Sequence, residues 1–293
     1  YGETSLYIAV YKGSSNIVEI LIEAKANVNA VTNDGATPLY RSTLNGNIDL
    51  VEKLLMAGAD VNALVQGNSI FFISRKHPPI LQVIVNEKLI NMSSKLFQDR
   101  IKTQELFIQV RRKASIEQIV DFIIRNKGDI NVTDKDGVTL LMIACIMNNY
   151  AAVEKLIMNG AKKDVKDVHA TALHYAFTVN NVDILNFLLQ QNCSLDIQDN
   201  NGNYPESWAI HGDKLAGLQV ALGLKNNIGT FIVNLDRLNN LLKWAKKYDS
   251  RKCMTYLEQV IKAIDEKDSD YFDISTQMEE CTASNTRPRF NYS

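Results

Sequence analysis

Residues Gly35 to Asn62 read GATPLYRSTLNGNIDLVEKLLMAGADVN and contain one complete copy of the pattern that decides the fold. Thr37 is a good helix N-cap, and Pro38 is tolerated in a first helical turn because its missing N–H would have no partner there. This start predicts a helix over residues 39–45, which a glycine-asparagine pair ends. A second helix is predicted over residues 48–56, with a glycine C-cap after it and a buried stripe of Leu50, Val51, Leu54 and Leu55.

The same pattern returns along the chain in a fixed phase. Further copies open at Gly2, at Gly137, at Thr171 and at Gly202. The intervals between the threonine positions are 33 and 32 residues, and again 33 where Tyr204 takes the threonine position. A period of this length predicts a solenoid, in which each unit buries its apolar face by stacking on its neighbours.

These strings resemble the ankyrin repeat, whose unit is a β-turn followed by two antiparallel helices. The resemblance implies an all-α fold with short β-turn tips, built from about seven repeats. It also implies a non-enzymatic role in protein recognition, with no cofactor and no small-molecule substrate. The array is expected over residues 1–227.

Several segments depart from the repeat. Prolines at positions 78 and 79 place the start of the second helix of repeat three near Pro79, and we expect an inserted helix in residues 91–102 with Ser93 as its cap. Residues 67–131 are therefore irregular. Two amphipathic helices in residues 228–265 are interpreted as a terminal cap, with a separate functional module as the alternative. Residues 266–293 are expected to form a flexible acidic tail.

The composition is typical of a globular protein. Apolar residues make up 46%, charged residues 22%, and the net charge is −1. The sequence shows no apolar run of membrane-spanning length and no signal-peptide pattern, which predicts a cytoplasmic location. The chain starts without Met, which suggests a fragment of a longer protein. The cysteines Cys145, Cys193, Cys253 and Cys281 form no C-x-x-C pair and are expected to be free thiols.

The concave face of such an array is the expected partner-binding surface. Positions free to vary in the repeat project from it, and apolar residues there are informative because a solvated position does not need them. The alternative is that they are scattered surface residues. The predicted strip comprises Tyr11, Lys12, Asn33, Asp34, Leu44, Asn45, Lys135, Asp136, Ile146, Met147, His169, Thr178, Val179, Asn200 and Asn201, and Ala36, Val138, Val168 and Asn203 lie in the same phase.

A basic patch is predicted in the irregular region. It comprises Arg75, Lys76, Arg100, Lys102, Arg111, Arg112 and Lys113, with Lys88 and Lys95 in the same stretch. A solvated face is the ordinary interpretation of such a run. An acidic protein or an anionic lipid surface is the expected partner if the patch binds, and nucleic acid is disfavoured because no exposed aromatics are interleaved.

The sequence contains no recognisable catalytic constellation. His174 occupies the histidine position of the repeat, where the resemblance implies hydrogen bonds to the backbone of the turns. A nucleophilic pair of His174 and Cys145 would need that histidine to turn away. The competing hypothesis is an enzyme whose catalytic module is the insertion, the terminal helices or a part outside this chain. A cleft with a polar triad between residues 95 and 113, or beside residues 243–253, would favour it.

Asn62 is a candidate for hydroxylation. Residues 54–62 resemble the ankyrin segment that an asparaginyl hydroxylase modifies, with leucines upstream and Asp-Val directly before the asparagine. Asn29 and Asn131 are the weaker counterparts. The alternative is that this asparagine serves only as a turn residue.

The degenerate repeats and the distinct terminal segment resemble ankyrin-repeat effectors that intracellular bacteria deliver into host cells. That resemblance implies action on host proteins in the host cytosol.

Overall fold

The computed structural model describes residues 2–66, 68–96, 106, 114–223 and 235–265, and these residues form pairs of short antiparallel helices joined by turns. Repeat one comprises α1 (Ser5–Tyr11) and α2 (Ser15–Glu23), repeat two α3 (Pro38–Leu44) and α4 (Ile48–Met56), and repeat three α5 (Ile70–Ser74) and α6 (Pro78–Leu96). A two-residue hairpin, β1 (Leu64–Val65) paired with β2 (Asn68–Ser69), precedes repeat three.

The second half repeats the same unit. Repeat four contributes α7 (Ile116–Arg125), repeat five α8 (Leu140–Ile146) and α9 (Tyr150–Met158), repeat six α10 (Ala172–Val179) and α11 (Val182–Gln190), and repeat seven α12 (Ser207–Ile210) and α13 (Leu215–Leu222); α14 (Leu235–Lys247) and α15 (Arg251–Asp265) follow. The predicted helix pair of repeat two is confirmed to within one residue at each end.

Threonine side chains start the first helices, as the sequence predicts. The hydroxyls of Thr4, Thr37 and Thr139 accept hydrogen bonds from backbone N–H groups three residues later, at 3.1–3.2 Å. Each bond satisfies a donor that the first turn of a helix leaves without a partner.

The predicted buried stripe of repeat two needs one correction. Leu50, Val51 and Leu54 have no solvent exposure or almost none, but Leu55 is only half buried. It packs against the edge of the core, so Leu54 carries the larger share of the burial.

Like helices pack on like helices in two stacks. In the N-terminal stack, α1 packs on α3 and α3 on α5, with α2, α4 and α6 behind them. In the C-terminal stack, α8, α10, α12 and α14 form the inner layer, and α7, α9, α11, α13 and α15 form the outer layer. This layering buries a large apolar core with residues from both stacks, and Tyr7, Ala36 and Val65 form a small second cluster.

The expected inserted helix does not begin at Ser93. Helix α6 runs without a break from Pro78 to Leu96, so Ser93 lies inside it, and α6 has 19 residues where the other second helices of repeats one to six have 9 or 10. The rest of the predicted insertion lies outside the described residues, as do Cys281 and the acidic tail.

Repeat three contacts repeats that are distant in sequence. The N–H of Ser69 donates to Nε2 of His169 in repeat six at 2.8 Å. The rings of Phe71 and Tyr175 lie 5.5 Å apart, and the Arg75 guanidinium lies 5.7 Å from the Trp208 ring of repeat seven. Repeats of a straight solenoid touch only their neighbours. The two stacks therefore fold back on each other, with repeat three lying across repeats five to seven.

A buried ion cluster joins the stacks. Nζ of Lys88, on α6, donates to Asp134 at 2.6 Å and to Asp136 at 2.8 Å, both in the turn that precedes α8. It also donates to Oδ1 of Asn62 at 3.0 Å. Lys88 has no solvent exposure, and a buried charge is tolerated only when its partners are in place.

Helices α14 and α15 are fastened to repeat seven. Arg237 forms a bidentate pair with Glu206, which is fully buried, and reaches Asp196 at 2.8 Å. Ser250 donates to the carbonyl of Ile210. Glu206 stands where the repeat usually has leucine, so this departure from the pattern supplies the partner of a terminal helix.

We expect the Lys88→Met variant to lose about 3–5 kcal/mol of unfolding free energy, because two carboxylates would stay buried without their cation. Urea unfolding followed by circular dichroism measures the change. Adding Asp134→Asn and Asp136→Asn to Lys88→Met removes those charges and should restore part of the loss. Wild-type stability of the single variant would contradict the buried cluster.

Candidate functional site

The N-terminal stack presents an open patch of apolar and aromatic residues, which we call the N-terminal face. It is formed by Ile8 and Tyr11 on α1 and by Arg41 and Leu44 on α3. Ile8, Tyr11 and Leu44 are 41%, 57% and 42% exposed. Such large exposed apolar residues, in one group with polar neighbours, are typical of protein interfaces.

Arg41 organises this face. Its guanidinium lies 5.0 Å from the centre of the Tyr11 ring and 5.7 Å from that of Tyr7. Its Nε donates to the Tyr7 hydroxyl at 3.0 Å. These contacts hold a tyrosine and an arginine in fixed positions, and both residue types are enriched among the residues that dominate binding energy.

Polar residues of the predicted strip surround the face. Lys12 is exposed and, with Glu3, Ile8 and Tyr11, lines a hollow of about 390 Å³. Asn33 and Asp34 are exposed on the turn before α3, and the Asn45 amide donates to the carbonyl of Tyr11 at 3.5 Å. The residues that the strip takes from repeats one and two therefore lie on the surface.

Three residues of the predicted strip are buried, so the prediction of an exposed strip is wrong there. Asp136 is paired with Lys88, and His169 accepts the N–H of Ser69. Ile146 is 5% exposed and belongs to the core. Ala36 and Val138 are also buried. A change such as Ile146→Glu would therefore test folding rather than binding.

The other strip residues of the C-terminal stack differ in exposure. Met147, Thr178 and Val179 are half buried, as are Val168 and Asn203, whereas Lys135, Asn200 and Asn201 are exposed on the turns. Because repeat three crosses this side of the C-terminal stack, the concave face of that stack is not a continuous open strip.

A cleft of about 510 Å³ lies where repeat three meets the C-terminal stack, and we call it the interstack cleft. Repeat three contributes Asn68, Arg75 and Lys76, repeat six His169 and Thr178, repeat seven Asp199, Asn201, Asn203, Trp208, His211, Gly212 and Lys214, and α14 Trp244 and Tyr248. The phase of the repeats puts Lys76, Thr178 and His211 at the position that Leu44 occupies in repeat two.

Burial shapes the ionisation of the cleft. Desolvation lowers the pKa of Arg75 to about 10, and it also lowers the pKa of Lys214, with a smaller contribution from Arg75. The pKa of His211 is lowered by burial and by the nearby charges of Arg75, Lys76 and Lys247. The Asp199 carboxylate accepts hydrogen bonds from Trp208 Nε1 at 2.9 Å and from the Asn203 amide at 3.0 Å, and hydrogen bonds of this kind lower its pKa against the opposing effect of burial.

The predicted basic patch is corrected at Arg75 and Lys88. Arg75 is half buried in the interstack cleft and Lys88 is fully buried, so neither belongs to an open basic surface. Lys76 is exposed. Arg100, Lys102, Arg111, Arg112 and Lys113 lie outside the described residues.

His174 has the structural role that the resemblance implies. Its Nδ1 lies 3.2 Å from the Thr171 N–H and 2.9 Å from the Thr171 hydroxyl, and its Nε2 lies 3.2 Å from the carbonyl of Asn203. The ring thus joins two successive turns. Burial lowers its pKa to about 4.

The described cysteines are free and buried, and burial opposes thiolate formation. Desolvation raises the pKa of Cys145, and that of Cys193 and Cys253 to about 12. Such thiols are poor nucleophiles at neutral pH. His174 is engaged with the turns rather than with Cys145.

The interstack cleft lies beside residues 243–253, where a polar triad would favour the enzyme hypothesis. In this cleft the Thr178 hydroxyl donates to the carbonyl of His174 at 3.5 Å rather than to a base. Over residues 2–66, 68–96, 106, 114–223 and 235–265, no group of three or more His, Cys, Asp or Glu side chains is placed to hold a metal ion.

Among the helices that the structure describes, none combines the length and the hydropathy needed to cross a bilayer.

Asn62 differs from its two counterparts. The side chains of Asn29 and Asn131 each bridge to the next turn: the amide of Asn29 donates to the carbonyl of Gly58, and its Oδ1 accepts the N–H of Asp60. Asn62 is half buried, and its Oδ1 accepts from Lys88 instead. Hydroxylation of Asn62 stays a prediction.

The helix pairs, their capped turns and the two-layer stacking define a class of protein, the helix-pair solenoid. A sequence model described as ankyrin repeats in three copies matches residues 1–64 and 106–201, which are more than half of the chain. The chain belongs to the ankyrin-repeat family. The unmatched stretch between these ranges includes most of repeat three and its long second helix.

Individual relatives match shorter parts. An ankyrin repeat protein of Acanthamoeba polyphaga mimivirus is 26% identical over 138 residues, which are 43% of this chain and 18% of the viral protein. Neurogenic locus notch homolog protein 1 of Homo sapiens is 33% identical over 94 residues, which are 31% of this chain and 4% of that protein. The human ASB11 ankyrin repeat domain matches with a TM-score of 0.33 and 20% identity, over 74% of this chain and 98% of that chain. The chain thus spans less than a fifth of the length of these two curated relatives.

The two buried imidazoles predict that acid destabilises the fold. Burial lowers the pKa of His169 and of His174 from 6.5 to about 4. Between these pH values the unfolded chain binds the protons and the folded chain does not, so stability falls as pH decreases below about 6.5. We expect a loss of about 2 kcal/mol per imidazole between pH 7 and pH 5.

Urea unfolding at both pH values measures this difference for the wild-type chain and for His174→Gln. The variant should show a smaller difference by about 2 kcal/mol, because its amide does not titrate. If the unfolding free energy of the two proteins depends equally on pH, His174 does not contribute to the loss of stability in acid.

Proposed function

We propose that this chain is a protein-recognition scaffold whose partner binds the N-terminal face. Ankyrin repeats generally mediate protein–protein interactions and are typically non-catalytic. The observation that carries the proposal is the group of Ile8, Tyr11 and Leu44, each more than two fifths exposed and adjacent to the fixed guanidinium of Arg41.

The chemistry of this face indicates what a partner must present. Tyr11 and Leu44 offer apolar area that a partner's aliphatic or aromatic side chain can cover. The surrounding Lys12, Asp34 and Asn45 offer charges and amides for a polar rim, and interfaces commonly combine such a rim with an apolar centre. The corresponding face of the C-terminal stack is crossed by repeat three, so we place the partner on repeats one and two.

Location and pathway stay predictions. The cytoplasmic location rests on the sequence pattern, and delivery into a host cell as an effector rests on the family resemblance. An acidic protein or an anionic lipid surface as partner of the basic patch likewise stays a prediction, because most of that patch lies outside the described residues.

We expect the double variant Tyr11→Glu, Leu44→Glu to weaken partner capture from cytosol at least tenfold, which corresponds to about 1.4 kcal/mol or more. Tyr11 and Leu44 are 57% and 42% exposed, so the fold should stay intact, and thermal unfolding checks this. Quantitative affinity capture with mass spectrometry identifies proteins that the wild-type chain retains.

Met56→Glu is the matched control. Met56 is 81% exposed at the end of α4, in the outer layer, so this variant places the same charge on an apolar surface residue away from the face. The proposal fails if Met56→Glu reduces capture as much as the double variant does, or if the double variant captures the same proteins as the wild-type chain.

A further inference from the structure

We propose that the interstack cleft binds a nucleotide, with its phosphates on Arg75, Lys76 and Lys214 and its base against the aromatic wall of Trp244 and Tyr248. This site is separate from the N-terminal face and does not depend on the function proposed for that face. It also goes against the expectation from the sequence that the chain has no small-molecule substrate and no cofactor.

The charges of the cleft select an anion. Three of its lining residues are Lys or Arg, and Asp199 is its one carboxylate among the residues that the structure describes. The oxygens of Asp199 already accept from the Trp208 indole and from the backbone N–H groups of Asn201 and Asn203. An anionic ligand would therefore meet an excess of positive charge rather than a carboxylate facing it.

The geometry of these cations suits phosphate. Nζ of Lys214 is held by the carbonyl of Thr178, and the Arg75 guanidinium is held over Trp208, so both charges are fixed at the wall. Arginine offers a planar fork of donors and lysine a compact charge, and both are common phosphate ligands. Lys76 is the exposed cation of the three and lies nearest to solvent at this wall.

Aromatic rings line another part of the cleft. The Trp244 and Tyr248 rings lie 5.4 Å apart and are inclined by 37°, and the His211 ring lies 4.0 Å from Tyr248. Tyr248 is 37% exposed, so the wall is accessible. Nucleobases stack on aromatic side chains of this kind. The cleft therefore combines phosphate-binding cations with aromatic rings, and a nucleotide can use both whereas inorganic phosphate can use only the cations.

The size of the cleft favours a compact ligand over a polypeptide. Its volume of about 510 Å³ lies within the range of about 300–1,000 Å³ that is common for small-molecule sites. The cleft is bordered by repeat three, α10, α14, and the turn and first helix of repeat seven. A ligand would therefore contact both stacks at once. A bound nucleotide should therefore stabilise the folded-back arrangement and raise the melting temperature.

Isothermal titration calorimetry with the full chain tests this proposal. The probes are ATP, GTP, adenosine, pyrophosphate and a hexaglutamate peptide. We expect ATP or GTP to bind with a dissociation constant below 1 mM, and at least tenfold more tightly than adenosine, pyrophosphate or hexaglutamate. The bound nucleotide should also raise the melting temperature.

Two variants on exposed residues assign the contacts. Lys76→Ala should weaken nucleotide binding at least fivefold, and Tyr248→Ala should weaken nucleotide binding while leaving pyrophosphate binding unchanged. Lys243→Ala is the matched control, because Lys243 is exposed on α14 and does not line the cleft. Thermal unfolding without ligand confirms that each variant is folded.

Several results would overturn the proposal. The proposal fails if ATP and GTP give no heat of binding at 1 mM, or if pyrophosphate binds as tightly as the nucleotides. It also fails if hexaglutamate binds more tightly than the nucleotides, or if Lys243→Ala and Lys76→Ala lose equal affinity for the nucleotides.

Discussion

The buried ammonium of Lys88 is the interaction on which the rest of the structure depends. It has no solvent exposure, and its compensating charges, Asp134 and Asp136, come from a turn that lies two repeats further along the chain. A cation removed from water in this way costs several kcal/mol unless both carboxylates stay in place. The ion cluster therefore fixes how the two stacks of repeats lie against each other.

This arrangement gives the repeats different roles although they share one pattern. Leu44 and Ile146 occupy the same position of the repeat, yet Leu44 is 42% exposed and Ile146 is buried. Folding back leaves the inner face of repeats one and two open and covers part of the inner face of repeats five and six. It also encloses the interstack cleft, whose walls come from both stacks. The open N-terminal face and the interstack cleft thus both result from the way in which the two stacks pack together.

The sequence predicts those structural features that depend only on one repeat and on its contacts with the adjacent repeats. Threonine caps, glycine breaks and apolar spacing report on a single helix pair and on its stacking, so the helices of repeat two and the hydrogen bonds of His174 could be predicted. The contact between Phe71 and Tyr175 could not, because it joins repeats that are not neighbours, and no repeat position specifies a contact of that kind. Glu206, in a position that is usually leucine, was a visible sign of a special partner, but the pattern does not identify Arg237 as that partner.

A double-mutant cycle between Phe71 and Tyr175 tests the folded-back arrangement most directly. Phe71→Leu, Tyr175→Leu and the double variant are each unfolded in urea, and the coupling free energy is the deviation of the double variant from additivity. The two rings lie 5.5 Å apart, so we expect a coupling of about 0.5–1.5 kcal/mol. In a straight array repeats three and six would not touch, and changes that add to within about 0.3 kcal/mol would contradict the arrangement.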